Sequence, residues 1–265
     1  MPIVRLLCLL LISTFVAAQQ FDVVLEGGRV MDPETGLDTV RNVGIRGSMI
    51  ARISSEPLSG RRVIHAAGLV IAPGFIDLHQ HGQELASQRV KAFDGVTTAL
   101  EMEIGVPDVA KFLKFKEGQS LIHYGTTASH VAARALVFGA PLDPGVVGPR
   151  AGIAGILPTS GPATDQNATP EQVDKIKQRL QNELDAGALG IGMGIQYTPG
   201  ATRLEVIDIF RFAAQHELPV YTHMETPPVI SNRSELRPSS IKVRSFRGSS
   251  GAIDSRIGSP PALRI

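Results

Sequence analysis

The chain has 265 residues, with 26 Lys and Arg against 25 Asp and Glu, so its formal net charge at pH 7 is only +1. This balance, with 19% charged residues, argues against a nucleic-acid partner and against a membrane-surface partner. Aromatic residues are 5% and there are 27 glycines, a composition that suits a fold with many tight turns.

The N-terminal segment predicts a secretory signal peptide, residues 1–18. Arg5 precedes an apolar run at residues 6–16, and Val-Ala-Ala at residues 16–18 matches a small-residue cleavage site. The run is short for a membrane-spanning helix, so we expect a secreted or periplasmic protein with no other membrane contact; an uncleaved anchor is the alternative. The single cysteine, Cys8, lies in this run, so the mature chain would contain no disulfide and no thiolate ligand.

Two kinds of pattern follow. Residues 19–70 contain short apolar runs separated by turn signals such as Gly27-Gly28 and Asp32-Pro33, which predict a small β-domain. From Ala72 onward strand and helix patterns alternate, which predicts parallel βαβ units. We place the strands near residues 72–79, 96–103, 120–129, 188–196 and 218–223.

Two helices have clear start signals. Thr169, Pro170 and Gln172 form an N-cap, a first-turn proline and a capping box. Thr202 and Glu205 predict a second capping box. The predicted apolar face of that second helix consists of Leu204, Ile207, Phe210 and Ala214.

The sequence His79-Gln80-His81 follows an apolar stretch that Pro73 and Gly74 open and Gly82 closes. Side chains alternate between the two faces of a strand, so His79 and His81 are predicted to point the same way. Two imidazoles on one face at a strand end can bind one divalent metal.

A family resemblance accompanies this motif. Residues 63–81, which end in Ala-Pro-Gly-Phe-Ile-Asp-Leu-His-Gln-His, resemble the signature of the amidohydrolase superfamily. Residues 95–98 (Gly-Val-Thr-Thr), 187–192 (Gly-Ala-Leu-Gly-Ile-Gly) and 221–224 (Tyr-Thr-His-Met) resemble its N-acyl-D-amino-acid deacylase, or D-aminoacylase, branch. The resemblance covers about residues 21–224. It implies an α/β fold: part of a TIM (β/α)8 barrel, about five of eight strands, at residues 71–224, with a β-sandwich portion at residues 19–70.

The resemblance also implies metal ligands. The strand-one histidines are His79 and His81, and His223 matches a strand-five histidine ligand. D-aminoacylases have a cysteine ligand at the end of strand two, where this chain has Glu101 and Glu103. A buried carboxylate is costly unless it is paired or binds a cation, so we expect Glu103, nearer the rim, to be the ligand with Glu101 in reserve. The alternative is that both carboxylates pair with Arg or Lys.

Three further residues receive roles. Asp77 lies on the same predicted strand face as the two histidines. We predict that it fixes the tautomer of one imidazole from outside the ligand set. Tyr197 matches a family tyrosine that faces the substrate, and His130 matches a family histidine after strand three. We expect both to contact substrate, with a structural role as the alternative for His130. His65, His123 and His216 are expected to be structural.

Zn²⁺, one ion or two, is the expected cofactor, and small N-acyl-D-amino acids are the expected substrates. In the family, metal-activated water attacks the amide while a strand-eight aspartate transfers the proton. A strand-six histidine and that aspartate have no counterpart here: no histidine follows His223, and the only later aspartate is Asp254. The catalytic acid–base group is therefore unknown, and this chain is expected to be inactive. Residues 225–265, rich in Ser, Arg and Pro, show no helical or strand period and are expected to be disordered. They begin directly after a strand that should continue into a barrel, so a reading-frame shift or a truncated gene explains them better than a natural tail does.

Two other functions remain open. A hydantoinase-like cyclic-amide hydrolase would need a carboxylated lysine at strand four, and residues 188–196 contain no lysine. A non-catalytic metal-binding fragment or partner subunit is the alternative from outside the enzymes.

Overall fold

A computed structural model describes residues 20–82, 84–140 and 161–224. The chain divides into two compact units, Met1–Pro73 and Gly74–Ile265. This division lies three residues beyond the boundary predicted after residue 70. The predicted signal peptide and tail, including Asp254, lie outside the described residues and stay predictions.

The first unit contains a five-stranded sheet. Its strands are β1 (Phe21–Asp32), β2 (Leu37–Arg46), β3 (Met49–Ser54), β4 (Gly60–His65) and β5 (Val70–Ile71). The order is β3-β2-β1-β4, and β5 also pairs with β1. The β1–β2 and β2–β3 pairs are antiparallel, whereas β4 and β5 run parallel to β1. The described part of this unit thus supplies a single sheet of the expected sandwich.

The second unit contains the parallel strands that were predicted. They are β6 (Phe75–Asp77), β7 (Val96–Val106), β8 (His123–Ser129), β9 (Ile191–Gly194) and β10 (Val220–His223). Every neighbouring pair is parallel and the order follows the sequence, β6 to β10. Strands added one after another with a helical crossover between them form a curled half-barrel. The α/β, partial-barrel prediction is confirmed.

Helices connect these strands. They are α1 (Leu85–Phe93), α2 (Val109–Lys116), α3 (His130–Val137), α4 (Pro162–Asp165), α5 (Pro170–Asp185) and α6 (Arg203–Gln215), with a 3-10 turn at Ile195–Tyr197. The main core joins α2, α3, α5 and α6 to β7, β8 and β9 through fully buried side chains such as Phe112, Ile176, Leu180, Ile191 and Ile209. None of the helices in the described ranges is long and apolar enough to cross a bilayer.

The capping box of α5 is confirmed. The Thr169 hydroxyl accepts from the backbone N–H of Gln172 at 3.3 Å, and the Gln172 side chain accepts from the backbone N–H of Thr169 at 2.9 Å. Pro170 is the first helical residue, where its missing N–H costs nothing. Two otherwise unsatisfied donors are thereby paired, so the helix begins where the sequence predicts.

The start of α6 is also confirmed, but only half of the predicted capping box forms, because the Glu205 side chain bonds His130 and Arg134. The predicted apolar face is correct for Phe210, which packs against the core, and wrong for Leu204 and Ala214. The Thr202 hydroxyl accepts from the backbone N–H of Glu205 at 3.1 Å. Leu204 and Ala214 are exposed, whereas Glu205, Ile209 and Ala213 are buried. An ion-paired Glu205 takes the buried position, and hydrophobic spacing alone does not reveal that.

The first strand of the barrel is shorter than predicted. Regular pairing covers only Phe75–Asp77, and His79 returns as an isolated bridge to Glu101. The Asp77 side chain accepts from the backbone N–H of His79 at 3.0 Å, which takes that donor out of the ladder. The histidine motif therefore lies on irregular backbone just beyond the strand.

Strand β7 bulges where it carries the carboxylates. Its register with β8 passes from Glu101 opposite Thr126 to Val106 opposite Ala128, so β7 contains extra residues. Gly105 has a φ of +72°, and a Cβ there would lie 2.4 Å from the Thr127 carbonyl oxygen. The Thr126 hydroxyl donates a hydrogen bond to the Glu101 carbonyl oxygen at 3.1 Å. A side chain of β8 thus pairs with a backbone acceptor at the point where the regular β7–β8 pairing is interrupted.

Replacing Gly105 by alanine should therefore destabilise the protein more than the same change at Gly118. Gly118 has nearly the same φ, +74°, but nothing within 4 Å of its Cβ position. Both changes cost about 1–2 kcal/mol for the left-handed backbone. Gly105→Ala should cost about 1–3 kcal/mol more because of the steric conflict. Urea unfolding of both variants measures the difference, and equal losses would contradict the close approach.

Candidate metal centre

The two motif histidines converge as predicted. The Nε2 atoms of His79 and His81 lie 3.0 Å apart, with the ring planes at 83°. The His79 side chain is 62% exposed and that of His81 is 26% exposed. One imidazole therefore borders solvent while the other is anchored further inside the unit.

Glu103 completes the group. One carboxylate oxygen, Oε2, lies 2.5 Å from His79 Nε2 and 2.9 Å from His81 Nε2. The donor atoms of these three residues all lie within 4.8 Å of one another. Glu103 is 7% exposed, so its position on the β7 bulge holds a carboxylate in the interior.

This donor set fits a divalent metal. Oε2 of Glu103 is buried and accepts no aligned hydrogen bond, although two imidazole nitrogens are close to it. A buried carboxylate oxygen that accepts no hydrogen bond is costly, and a cation would compensate its charge. Imidazole nitrogens and a carboxylate oxygen are ligands that zinc prefers.

His223 approaches the other side of the same carboxylate. It ends β10, and its Nδ1 makes a short contact with Oε1 of Glu103. The two oxygens of Glu103 therefore face two different sets of imidazoles. The four residues predicted as metal ligands are brought together, with Glu103 between the His79–His81 pair and His223.

Tyr197 lies beside His223, on the 3-10 turn after β9. Its hydroxyl is 3.5 Å from His223 Nε2 and the ring centroids are 4.9 Å apart. Burial, and then the charge of Glu103, raise the pKa of Tyr197, so the phenol stays protonated at neutral pH. The structure thus places the predicted substrate-binding hydroxyl against a candidate ligand.

A cavity of about 300 Å³ opens at this group. His79, Glu103 and His223 form its polar side. Leu78, Tyr221, Thr222 and Met224 form the rest of its lining. A small molecule with one polar and one apolar end could bind there.

The prediction for Asp77 needs correction. Its Oδ1 accepts from the backbone N–H of His79, and its Oδ2 lies 2.5 Å from Lys91 Nζ. Burial alone would raise the pKa of Asp77, but Lys91 and the His79 backbone together lower it. Asp77 therefore holds the backbone of the motif and pairs with Lys91, and its described hydrogen bonds do not include an imidazole.

The carboxylate behind an imidazole is that of Glu101. Its two oxygens lie 3.1 and 2.9 Å from His81 Nδ1, and it is 4% exposed. Burial raises the pKa of Glu101, and His81 opposes that shift. The hydrogen bond between Glu101 and His81 in turn raises the pKa of His81. The sequence predicted Glu101 only as a reserve metal ligand and did not reveal its contact with His81. The available signal was that Glu101 and Glu103 share one predicted face of the strand.

His130 does not reach the cavity. It is fully buried, and its Nε2 lies 3.0 Å from Glu205, whose other oxygen is 2.5 Å from the Arg134 guanidinium. Arg134 also donates to the carbonyl oxygen of Ala163 at 2.6 Å. This internal ion-pair network joins α3 to α6, so the structural alternative describes His130 better than the predicted substrate contact.

The other histidines lie away from the cluster. His65 Nδ1 contacts Glu26 in the first unit, and the His216 ring packs on Phe212. His123 begins β8, and its Nδ1 is buried without a hydrogen bond.

Comparison with known proteins shows what this chain is similar to. No protein-family model matches the chain. A D-aminoacylase from Alcaligenes xylosoxydans xylosoxydans is 29% identical over 223 residues, which cover 78% of this chain and 45% of that enzyme. A solved D-aminoacylase, described as defining a subset of the amidohydrolases, superposes with a TM-score of 0.61 at 25% identity, over 77% of this chain and 45% of the other. This chain is a relative of the D-aminoacylases.

A second D-aminoacylase structure, with a TM-score of 0.60 at 25% identity, is described as holding a binuclear metal centre; it also aligns over 77% of this chain and 45% of its own. The resemblance seen in the sequence is thus confirmed, and metal binding is a property of these relatives. The chain spans less than half the length of the D-aminoacylases it matches.

Removing His79 should abolish tight metal binding. His79→Ala removes one of the two imidazole nitrogens that lie beside Oε2 of Glu103. The loss of metal affinity should exceed the about 10–100-fold effect of removing a hydrogen-bond partner of a ligand. His216→Ala is the matched control, since His216 is exposed and packs only on Phe212 among its ring contacts. Zn²⁺ content after dialysis measures both variants, and equal content would contradict the assignment.

As the pH is lowered, metal affinity should begin to fall at a higher pH than it would for a site whose histidines have their ordinary pKa. Glu101 raises the pKa of His81 above 6.5, and a protonated imidazole cannot bind metal. Affinity should therefore increase as pH rises and level off only above the raised pKa of His81. Co²⁺ titrations between about pH 5.5 and 8.5 test this, and a midpoint below about 6 would contradict it.

Proposed function

We propose that this chain provides the metal-binding half-barrel of an amidohydrolase that cleaves the amide bond of N-acyl-D-amino acids. The observation that carries the proposal is the convergence of His79, His81 and His223 on the two oxygens of buried Glu103. The group lies where the parallel strands end, the position of active sites in barrels of this type. The relationship to D-aminoacylase supplies the substrate class.

Zinc is the metal we propose, as one ion or two. Nitrogen and oxygen donors suit Zn²⁺, and the described residues of the cluster include no sulfur ligand. His79, His81 and Glu103 would hold the first ion, while His223 with the second oxygen of Glu103 would serve another. When bound, the metal lowers the pKa of water and polarises the amide carbonyl.

The residues of the chain would position the substrate. Tyr197 presents a protonated hydroxyl beside His223, from which it would donate a hydrogen bond to a developing oxyanion. Leu78 and Met224 provide apolar surface for an acyl group or side chain. The acid–base group that returns the proton to the leaving amine remains unassigned among the described residues.

We further propose export from the cytoplasm. The apolar run at residues 6–16 and the small residues before Gln19 support this. The mass of the mature protein should correspond to a chain that begins at Gln19, and an intact N-terminus would contradict export by cleavage.

A phosphonate analogue of an N-acyl-D-amino acid should bind the zinc-loaded chain. Such analogues mimic the tetrahedral transition state, so binding does not depend on the unassigned proton-transfer group. The D-enantiomer should bind at least about tenfold more tightly than the L-enantiomer, a difference of about 1.4 kcal/mol. Calorimetric titration with each enantiomer measures this.

Metal removal and Glu103→Gln should each abolish that binding. Equal affinity for both enantiomers would contradict the substrate while leaving the metal site intact. Hydrolysis of a cyclic amide, without hydrolysis of N-acyl-D-amino acids, would favour the hydantoinase-like alternative.

A further inference from the structure

Glu101 is a buried carboxylate that the proposed metal site does not use. Both of its oxygens contact one atom, Nδ1 of His81, at 3.1 and 2.9 Å. A carboxylate that is 4% exposed and aimed at a histidine needs a reason for its position, because its burial is costly.

The geometry argues that Glu101 is not a metal ligand. The two nitrogens of an imidazole flank Cε1 and direct their hydrogen bonds or lone pairs away from each other, so groups at Nδ1 and at Nε2 lie on different sides of the ring. His81 directs Nε2 toward His79 and Glu103 and directs Nδ1 toward Glu101. Glu101 and Glu103 thus contact different sides of the same ring.

The backbone of Glu101 is itself held in place. It forms an isolated bridge with His79, and its carbonyl accepts from the Thr126 hydroxyl at 3.1 Å. The carboxylate therefore reaches His81 from a constrained segment of β7. A constrained acceptor can select one orientation and one tautomer of an imidazole.

We propose that Glu101 is a positioning residue that accepts the Nδ1–H of His81 and so keeps the Nε2 lone pair directed at the metal. This role rests on the proposed metal site. His79 is held in a different way, because Asp77 accepts a hydrogen bond from its backbone N–H. Carboxylates that orient a metal-bound imidazole in this way commonly strengthen metal binding about 10–100-fold.

The test compares metal binding in the full chain and four variants. Glu101→Leu removes the acceptor, Glu101→Gln keeps a weaker one, and Glu103→Gln removes the proposed ligand. Glu205→Gln is the matched control, because Glu205 is also a buried carboxylate on a histidine, His130, but lies outside the cluster. Chelator competition gives the Zn²⁺ affinity, the Co²⁺ absorption spectrum reports the ligand set, and nitrogen-15 NMR reports the tautomer of His81.

The expected result is a graded loss at position 101. Glu101→Leu should weaken Zn²⁺ binding about 10–100-fold with unchanged stoichiometry and unchanged Co²⁺ bands, and the Nδ1–H signal of His81 should shift. Glu101→Gln should restore part of the affinity, Glu103→Gln should lose more than either, and Glu205→Gln should bind as the wild type does. Circular dichroism identifies any variant that fails to fold, and Glu101→Gln then decides the matter.

Three outcomes would overturn the inference. Wild-type affinity in both Glu101 variants would show that Glu101 has no positioning role, while the metal site stands. Changed Co²⁺ bands and a lost metal equivalent in Glu101→Gln would make Glu101 a ligand instead. If the wild-type chain binds neither Zn²⁺ nor Co²⁺, the proposed metal site fails first and this inference fails with it.

Discussion

The buried carboxylate of Glu103 is the constraint around which the second unit is arranged. An anionic group inside a barrel is stable only if something compensates its charge. Three imidazoles from two distant parts of the chain approach it, and β7 departs from regular pairing to place it there. The close contact of Gly105 with β8 permits that departure.

Two carboxylates two residues apart on one strand have different environments, and the ring of His81 separates them. Glu103 faces Nε2 and the cavity, whereas Glu101 faces Nδ1 in the interior. A metal and a hydrogen-bond acceptor make complementary demands on an imidazole, since one needs a lone pair and the other needs the N–H. The same face of a strand can therefore hold a ligand and the group that orients a ligand.

The pair of His130 and Glu205 shows that a buried carboxylate in contact with a histidine also occurs away from the candidate metal site. It has the same residue types in hydrogen-bond contact, yet Arg134 completes the pair and the whole network is buried. Burial alone would raise the pKa of Glu205, but His130 and Arg134 lower it, so the carboxylate stays ionised as part of the packing. What distinguishes the two places is access: Glu103 lines a cavity, whereas His130, Arg134 and Glu205 are all buried.

The sequence by itself determined the features that depend on local chemistry. The capping box at Thr169 and the alternation of strands and helices follow from spacing and hydrogen-bonding capacity within a few residues. The convergence of His79 and His81 was also predicted, although it occurs on irregular backbone just beyond the strand and not on the strand itself. Only the tertiary structure decided which carboxylate faces which nitrogen of His81, that Asp77 holds backbone, and that His130 is internal. Asp77 bonds the backbone only two residues away, but it does so because the chain leaves the strand at that point. The other outcomes depend on contacts across 20 to 120 positions of sequence, such as Glu101 with His81 and Glu103 with His223, and a local period contains no information about them.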